Sequence, residues 1–566
     1  MFSEIADMLE ILNENPFRIR SYRKAAMTLE TLPHEIRDLD ESKWTDIPGI
    51  GKDLEAKIKE YLSTGRMKAH EELMQKIPPE LLDMIQIPGL GPKTVKKLWD
   101  ELGIKTTAEL EKAGKEHLIQ NLKGLGQKIE EKILKGIELR RKYKERHGLG
   151  KTVPLAHELV GLLQKKTDVL KIDIAGSLRR SRETSADIDL LAASKNPGKV
   201  MEEFVNLPFV QEILAHGETK SSILTKQGIQ CDLRVVEEES YGAALHYFTG
   251  SKEHNIRIRQ LAQDRGLKVN EYGVFKGEKK IAGGAEEEIF AAVGLPYIPP
   301  ELREDRGEIE AGLSGNLPHL IEHSDIRGDC HIHTLWSDGS QPLEVMVEAA
   351  RKRYQYAAIS DHSKMMGITG GMDAETLLRQ VKEIRNLAKK YPDFMLLCGI
   401  EVDIKADGTL DMPDKALKEL DLAVASVHLK FNMSEEEMTS RIITAMENPY
   451  VTIIGHPTGR LIGYREPYQV NMEKLLDAAK RTGTFMELNS FWDRLDLNDV
   501  HLRMAKEKGV KIMIDTDSHN TSHFEMLKYG VSTARRGWIE ARDVVNTLLP
   551  EKFLKAIKAK RELRKA

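Results

Sequence analysis

The run Val169-Leu-Lys-Ile-Asp-Ile-Ala175-Gly176-Ser177-Leu178-Arg179-Arg180, then after a polar turn Ala186-Asp187-Ile188-Asp189-Leu190-Leu191, sets the fold of the middle of this chain. Both stretches alternate as β-strands do. A period of two puts Asp187 and Asp189 on one face and sends Ile188 and Leu190 into a core. A later strand, Gly228-Ile-Gln230-Cys-Asp232-Leu-Arg-Val-Val236, adds a third carboxylate. Like charges this close are costly unless divalent ions neutralise them, so Asp187, Asp189 and Asp232 read as a hard-oxygen site for two Mg²⁺ ions. Two ions ~3.5–4 Å apart can activate a hydroxyl and stabilise a leaving pyrophosphate. Gly176 and Ser177 offer N–H and hydroxyl groups to phosphates, and Arg180 their counter-charge. A lone D-x-D usually marks a surface turn. The lead-in strand, the Gly-Ser turn and the third acidic strand together argue for catalysis.

Beyond Asp325 short apolar strands alternate with helical stretches, at Tyr356–Ser360, Phe394–Cys398, Leu422–Ser426, Val451–Gly455, Thr484–Leu488 and Lys511–Asp515. Repeated β-then-α units predict a barrel of parallel strands with its chemistry at the strand C-terminal ends. The polar residues fall there: His331 and His333 as H-x-H, Asp338, His362 after Asp361, Glu401, His428, His456, Asp517 and His519. One histidine alone is as often a core or surface residue as a ligand; nine candidates at successive strand ends are a cluster. Imidazole and carboxylate without thiolate suit Zn²⁺, Mn²⁺ or Fe²⁺, and nine donors can hold three ions. Cys330 adjoins the cluster but alternates to the opposite strand face, so it reads as packing. Arg460 reads equally as a holder of substrate phosphate or as a surface arginine.

Up to Arg146 the chain reads as short amphipathic helices broken by Gly and Pro. One pattern recurs: Ile47-Pro-Gly49-Ile-Gly51-Lys52, Ile87-Pro-Gly89-Leu-Gly91-Pro-Lys93 and, more weakly, Leu122-Lys-Gly124-Leu-Gly126-Gln-Lys128. Each runs into a helical stretch, as a hairpin would in which glycines permit φ > 0 and backbone N–H groups at a helix start grip a phosphate. Repeated turns of this kind, with Lys52, Lys57, Lys93, Lys96 and Lys97 near them, bind a nucleic-acid backbone without reading bases. The pattern resembles the helix-hairpin-helix motif of DNA repair proteins. Asn15–Ala26 interleaves Phe17 and Tyr22 with Arg18, Arg20, Arg23 and Lys24, and reads either as a base-stacking contact or as a solvated basic helix face.

At 566 residues the chain needs several cores, and 40% hydrophobic with 31% charged residues is a globular composition. It contains no unbroken apolar run of membrane length and starts with no basic-then-apolar leader, which excludes membrane and secreted classes. Three scattered cysteines make neither a disulfide framework nor a thiolate metal site and suit a reducing cytoplasm. A net charge of −4 confines any nucleic-acid site to a local patch.

The acidic strands resemble the nucleotidyltransferase superfamily. Tyr247-Phe-Thr-Gly250-Ser-Lys-Glu-His-Asn255-Ile-Arg-Ile-Arg259, followed by Asn270-Glu271-Tyr272, narrows the resemblance to family X DNA polymerases. It implies that Tyr247, Phe248 and Gly250 line the sugar of an incoming nucleotide, that Asn255 reaches its base, and that Arg259, Asn270, Glu271 and Tyr272 face the template. One departure is Gln230, where the vertebrate repair enzyme has Arg, which leaves the tuning of primer activation open. Lys57 aligns with the family's lyase lysine, but Asp53 replaces its neighbouring lysine and opposes the lowered pKa a nucleophile needs; plain phosphate contact is the competing role. The C-terminal half resembles the polymerase-and-histidinol-phosphatase (PHP) domain, a metallo-phosphoesterase, in its trinuclear form with Mn²⁺ or Zn²⁺. Together these identify the bacterial and archaeal type of family X polymerase.

The implied architecture is multidomain. Helical units with helix-hairpin-helix motifs span 1–78 and 79–148, an α+β nucleotidyltransferase palm 149–238 and a nucleotide-selection subdomain 239–305. A linker covers 306–325, and an α/β distorted barrel of PHP type 326–566. The implied activity is gap-filling synthesis on primer-template DNA from dNTPs by a cytoplasmic monomer, with 3′-5′ exonuclease or end-processing action; abasic-site cleavage (AP endonuclease) is left open. The rival is a PHP phosphoesterase with a DNA-binding module whose polymerase is weak; the intact Asp187, Asp189, Asp232 and Arg180 argue against it.

Overall fold

Apolar residues at helical spacing give the first 144 residues a set of helices, among them Phe2–Ile11, Lys52–Thr64, Pro92–Leu102 and Gln127–Lys144, closed over a core that includes Ile5, Trp44, Leu98 and Ile133. This computed structural model describes residues 1–30, 36, 40–47, 49–85, 87, 90–144, 146–365 and 370–563. Gly89, one of the hairpin glycines, lies outside them.

The palm is a five-stranded sheet in the order Lys171–Ile174, Asp187–Ala193, Gln230–Val236, Lys220–Thr225, Val210–His216. Only the central pair, Asp187–Ala193 with Gln230–Val236, is parallel, and its register sets Asp189 beside Asp232. The expected alternation holds, with Ile188 and Leu190 buried while Asp187 and Asp189 stay partly open. Helices Tyr241–Thr249 and Lys252–Gln263 follow, then a three-stranded sheet and helix Glu286–Ala292.

The stretch 306–325 is no free tether. Ile309 and Leu320 are buried in the cluster that holds Ile258, Phe290 and Trp538, and Glu308 is fully buried against His254. Its Pro/Gly/Glu-rich composition suggested a linker, but Arg306, Glu308 and Glu310 are paired with Asp499, His254 and Arg257 within the fold.

In the C-terminal half the strands run in parallel from Gly328–Asp329 through Tyr356–Ile359 and Met395–Cys398, then from Glu401–Asp403 through Val424–Ser426, Ile453–Ile454 and Phe485–Asn489 to Ile512–Asp515. A parallel bridge between Ile332 and Ser518 closes the ring, and another between His362 and Glu401 spans the break after Cys398. The result is a distorted barrel. A buried apolar cluster of this half contains Ala358, Val424, Met513 and Cys330, whose free thiol is core packing.

Candidate functional site

Three carboxylates crowd the palm's central strands. Burial, then Asp187 and Asp232, raise the Asp189 carboxyl to about 7, and burial with Asp232 raises Asp187. A Cβ on Gly176 (φ 61) would lie 2.0 Å from an Asp189 oxygen, so only glycine lets the turn approach; Ser177 follows, half-buried. Gln230 donates from Nε2 to Asp232 Oδ1 at 2.9 Å, and Lys220 Nζ stands 3.3 Å from its other oxygen. Neither contact was expected from sequence.

Arg180 donates to the Thr249 carbonyl and, through Nε, to Glu304 at 3.1 Å, which ties it to the Tyr247–Gly250 turn. Tyr247 and Phe248 pack edge to face, and the Arg234 guanidinium sits 4.4 Å from the Phe248 ring centre. Asn255 donates to the Tyr247 carbonyl at 2.8 Å while its Oδ1 is buried with no partner among the described residues, an acceptor held ready. Arg259 is half-buried on helix Lys252–Gln263. Asn270 Oδ1 accepts from the Tyr272 and Gly273 N–H groups in a turn that leaves Tyr272 59% exposed. Phe248, Glu271 and Tyr272 line a cavity of about 760 Å³ that Arg234 also borders.

The helical region repeats one turn three times. Ile50 N–H donates to Ile47 at 3.0 Å, Leu90 to Ile87 and Leu125 to Leu122 at 2.9 Å each. Gly51 (φ −91, ψ 173) and Gly91 (φ −92, ψ 166) cap their helices almost identically, and Gly49 and Gly124 take φ 93 and 84. The third hairpin, weak by sequence, is thus the same device. Lys52 and Lys93 are exposed in the first turns. Lys57 lies half-buried against Asp53, Nζ to Oδ1 at 2.5 Å.

All nine barrel candidates converge. Asp338 meets His362 and His519 at 3.4 Å each and His333 at 3.6 Å; Asp517 meets His333 at 3.2 Å and His331 at 3.6 Å. Glu401 meets His362 and His456 at 3.0 Å and His331 and His428 at 3.3 Å. Atoms each about 2.1 Å from one ion at octahedral or tetrahedral angles lie roughly 3.0–3.4 Å apart, so the spacing fits shared ions. His331 Nε2, both nitrogens of His333, His362 Nδ1 and His456 Nδ1 are buried without hydrogen-bond partners among the described residues, as ligand atoms would be. His456 (φ 26) and Asp517 (φ 53) hold backbone conformations that cost about 1–3 kcal/mol outside glycine. Burial opposes charge on His331, yet Glu487, Asp517 and Glu401 raise its pKa well above the ordinary value; burial likewise opposes ionised Glu401, yet His362, His331 and His428 hold it well below.

Sequence reasoning missed the groups behind these ligands. Glu487 accepts from His331 Nδ1 at 2.6 Å and Asp403 from His428 Nδ1 at 2.9 Å, fixing which ring nitrogen faces inward. The available signals were an acid in the apolar run Thr484–Leu488 and an acid two residues past Glu401. Arg494 was missed as well; its Nε stands 3.4 Å from Asp517, and its Nη1 is buried without a partner among the described residues. Arg460 takes neither role read for it: it forks onto Glu183 at 2.6 and 3.1 Å and donates to the Arg494 carbonyl.

A three-carboxylate palm followed by a histidine-rich barrel defines a nucleotidyltransferase joined to a metallo-phosphoesterase, and the comparisons agree. Residues 1–67 match a helix-hairpin-helix domain, 81–139 a SAM-like helix-hairpin-helix tandem, 244–304 the DNA polymerase beta thumb and 329–491 the PHP domain. The chain is 41% identical over 552 residues to the DNA polymerase/3′-5′ exonuclease PolX of Bacillus subtilis (strain 168), covering 96% of each. It is 33% identical over 232 residues to a probable phosphatase of Thermoanaerobacter sp. (strain X514), 39% of this chain and 89% of that one. To DNA polymerase lambda of Arabidopsis thaliana it is 24% identical over 342 residues, 54% of this chain and 61% of that one. The chain belongs to the family X DNA polymerases that carry a C-terminal PHP domain.

Proposed function

We propose that this chain fills short gaps in DNA during repair and, through its barrel, degrades or cleans DNA from the 3′ end. The observation that carries this is the coexistence of two separate donor clusters, three carboxylates in the palm and, at the barrel mouth, eight candidate donors in three close groups with His456 at 3.0 Å from Glu401 beside them. Asp187, Asp189 and Asp232 would hold two Mg²⁺ ions, and the nine barrel residues up to three Mn²⁺ or Zn²⁺ ions. When bound, such ions supply charge neutralisation and Lewis acidity at the reacting phosphates.

The chain's own groups do the positioning. Gly176 and Ser177 present the turn to a dNTP triphosphate, whose charge Arg180 meets; Tyr247, Phe248 and Gly250 flank its sugar. The open Oδ1 of Asn255 supports the base contact. Arg259 and Asn270–Tyr272 face the template. In the barrel, Glu487 and Asp403 hold protons on the Nδ1 atoms of His331 and His428, keeping each Nε2 free for an ion, and Arg494 holds the scissile phosphate. Gly49, Gly51, Lys52, Gly89, Gly91 and Lys93 grip the duplex backbone on either side of the gap. The Lys57–Asp53 pair supports phosphate contact over lyase chemistry at Lys57. Among the described residues no helix is long and apolar enough to cross a membrane; three buried free cysteines suit a reducing cytoplasm, where the chain would act as a monomer.

The test is extension of a labelled primer across a short gap, with and without dNTPs, in Mg²⁺ and in Mn²⁺. Growth with dNTPs and shortening without them are expected. A primer that never grows would return the chain to the phosphoesterase reading.

A further inference from the structure

Two arginines of the barrel half reach into the palm. Arg536 ends helix Leu527–Arg536 and is 5% exposed. Its Nη1 donates to the Arg180 carbonyl at 2.6 Å and to Glu304 Oε1 at 3.0 Å, while Nη2 donates to Asp499 at 2.9 Å. Glu304 Oε1 also accepts from Arg180 Nε, and its other oxygen from Arg182 at 3.3 Å; Asp499 also accepts from Arg306 at 2.9 Å. Arg536 therefore holds Arg180 twice, by its backbone and through the carboxylate that grips its guanidinium. Arg460 forks onto Glu183, whose carbonyl accepts from the Leu149 N–H. Residues 180–183 join the phosphate-facing turn to the strand that starts at Asp187, so both ends of this connection are fastened from the barrel half.

Apolar contacts make the attachment rigid. Ile462, Leu495 and Tyr529 belong to the palm's own core cluster, and a Cβ on Gly150 would lie 2.4 Å from the Trp492 ring. A guanidinium that makes three hydrogen bonds to three partners between packed surfaces is held in one position, so Arg180 inherits that position.

We propose that Arg536 is a positioning residue for polymerisation: the PHP domain sets the triphosphate-binding geometry of the palm through it. This rests on the reading of Arg180 as the triphosphate arginine. It needs no change at the nuclease ligands, since Arg536 touches none of them.

The experiment compares Arg536→Met, Arg536→Lys and Arg180→Met in the full chain. It measures dNTP KM and kcat, inhibition by inorganic pyrophosphate, 3′ nuclease rate and thermal melting. Arg536→Met is expected to raise the dNTP KM and the pyrophosphate inhibition constant together by about tenfold, with kcat changed far less. Nuclease rate should stay within about twofold, and Arg536→Lys should recover only part of the loss, because one ammonium keeps the charge near Glu304 but cannot span the Arg180 carbonyl, Glu304 and Asp499 together. Unchanged KM and pyrophosphate inhibition in Arg536→Met would overturn the proposal, and so would a KM rise matched by equal loss of nuclease and melting temperature. Arg180→Met separates the two readings. If it raises KM and Arg536→Met does not, the positioning role fails alone; if it leaves KM unchanged, the assignment of Arg180 fails and takes the positioning role with it.

Discussion

Asp189 carries the pH dependence of the palm. Its carboxyl, raised to about 7 by burial, Asp187 and Asp232, must lose a proton before it can ligate an ion. Below that value proton and ion compete, so the apparent Mg²⁺ affinity for synthesis should fall by up to about tenfold per pH unit, and it should flatten above. Mg²⁺ titrations of incorporation at pH 6, 7 and 8 check this, and a flat profile would contradict it. In the barrel, Glu487→Gln removes the charge that fixes His331, and metal affinity should drop about 10–100-fold while the nine candidate donors remain. Equilibrium dialysis against Mn²⁺ measures that loss. The candidate donors were legible in sequence because D-x-D and H-x-H follow the strand period. Their supports were not: Glu487 lies 156 residues from His331, and the Arg460 partner Glu183 lies 277 residues away, distances that only the folded topology closes.

At the scale of elements, the hairpins were readable because glycine spacing repeats a backbone requirement, and the third copy proved equal to the others once its turn bond was seen. Lys52→Glu with Lys93→Glu should weaken gapped-DNA binding and lower the slope of log affinity against log salt by about two, one per lost phosphate contact. A fluorescence titration across a salt series reads both, and an unchanged slope would count against paired phosphate grips. The regular barrel strands are shorter than their apolar runs suggested, Ile453–Ile454 within Val451–Gly455 for example, although Thr452 and Gly455 still donate N–H bonds to the neighbouring strand. The stretch 306–325 misled for a different reason. Charge and proline mark loops, yet buried pairs such as His254 with Glu308 serve a packed segment equally well.

For the whole molecule, the proposed function places two separate metal sites on one chain, acting in opposite senses on a DNA 3′ end. The palm carboxylates and the barrel ligands share no residue, although the barrel loops that carry His456 and Arg494 also carry Ile462 and Leu495 into the palm core. The attachment is structural and the chemistry divides. Asp189→Ala should therefore abolish dNTP incorporation, by about 10³-fold or more given the loss of one of the three carboxylates that would hold the ions, and leave 3′ degradation within a few-fold. His331→Ala with His333→Ala should strip metal from the barrel and abolish degradation while synthesis continues. The most direct measurement is one gel in which both variants and the parent act on the same labelled gapped primer, with and without dNTPs. Loss of synthesis alone in the first variant and of degradation alone in the second is the predicted result. Loss of both activities together in either folded variant would contradict it.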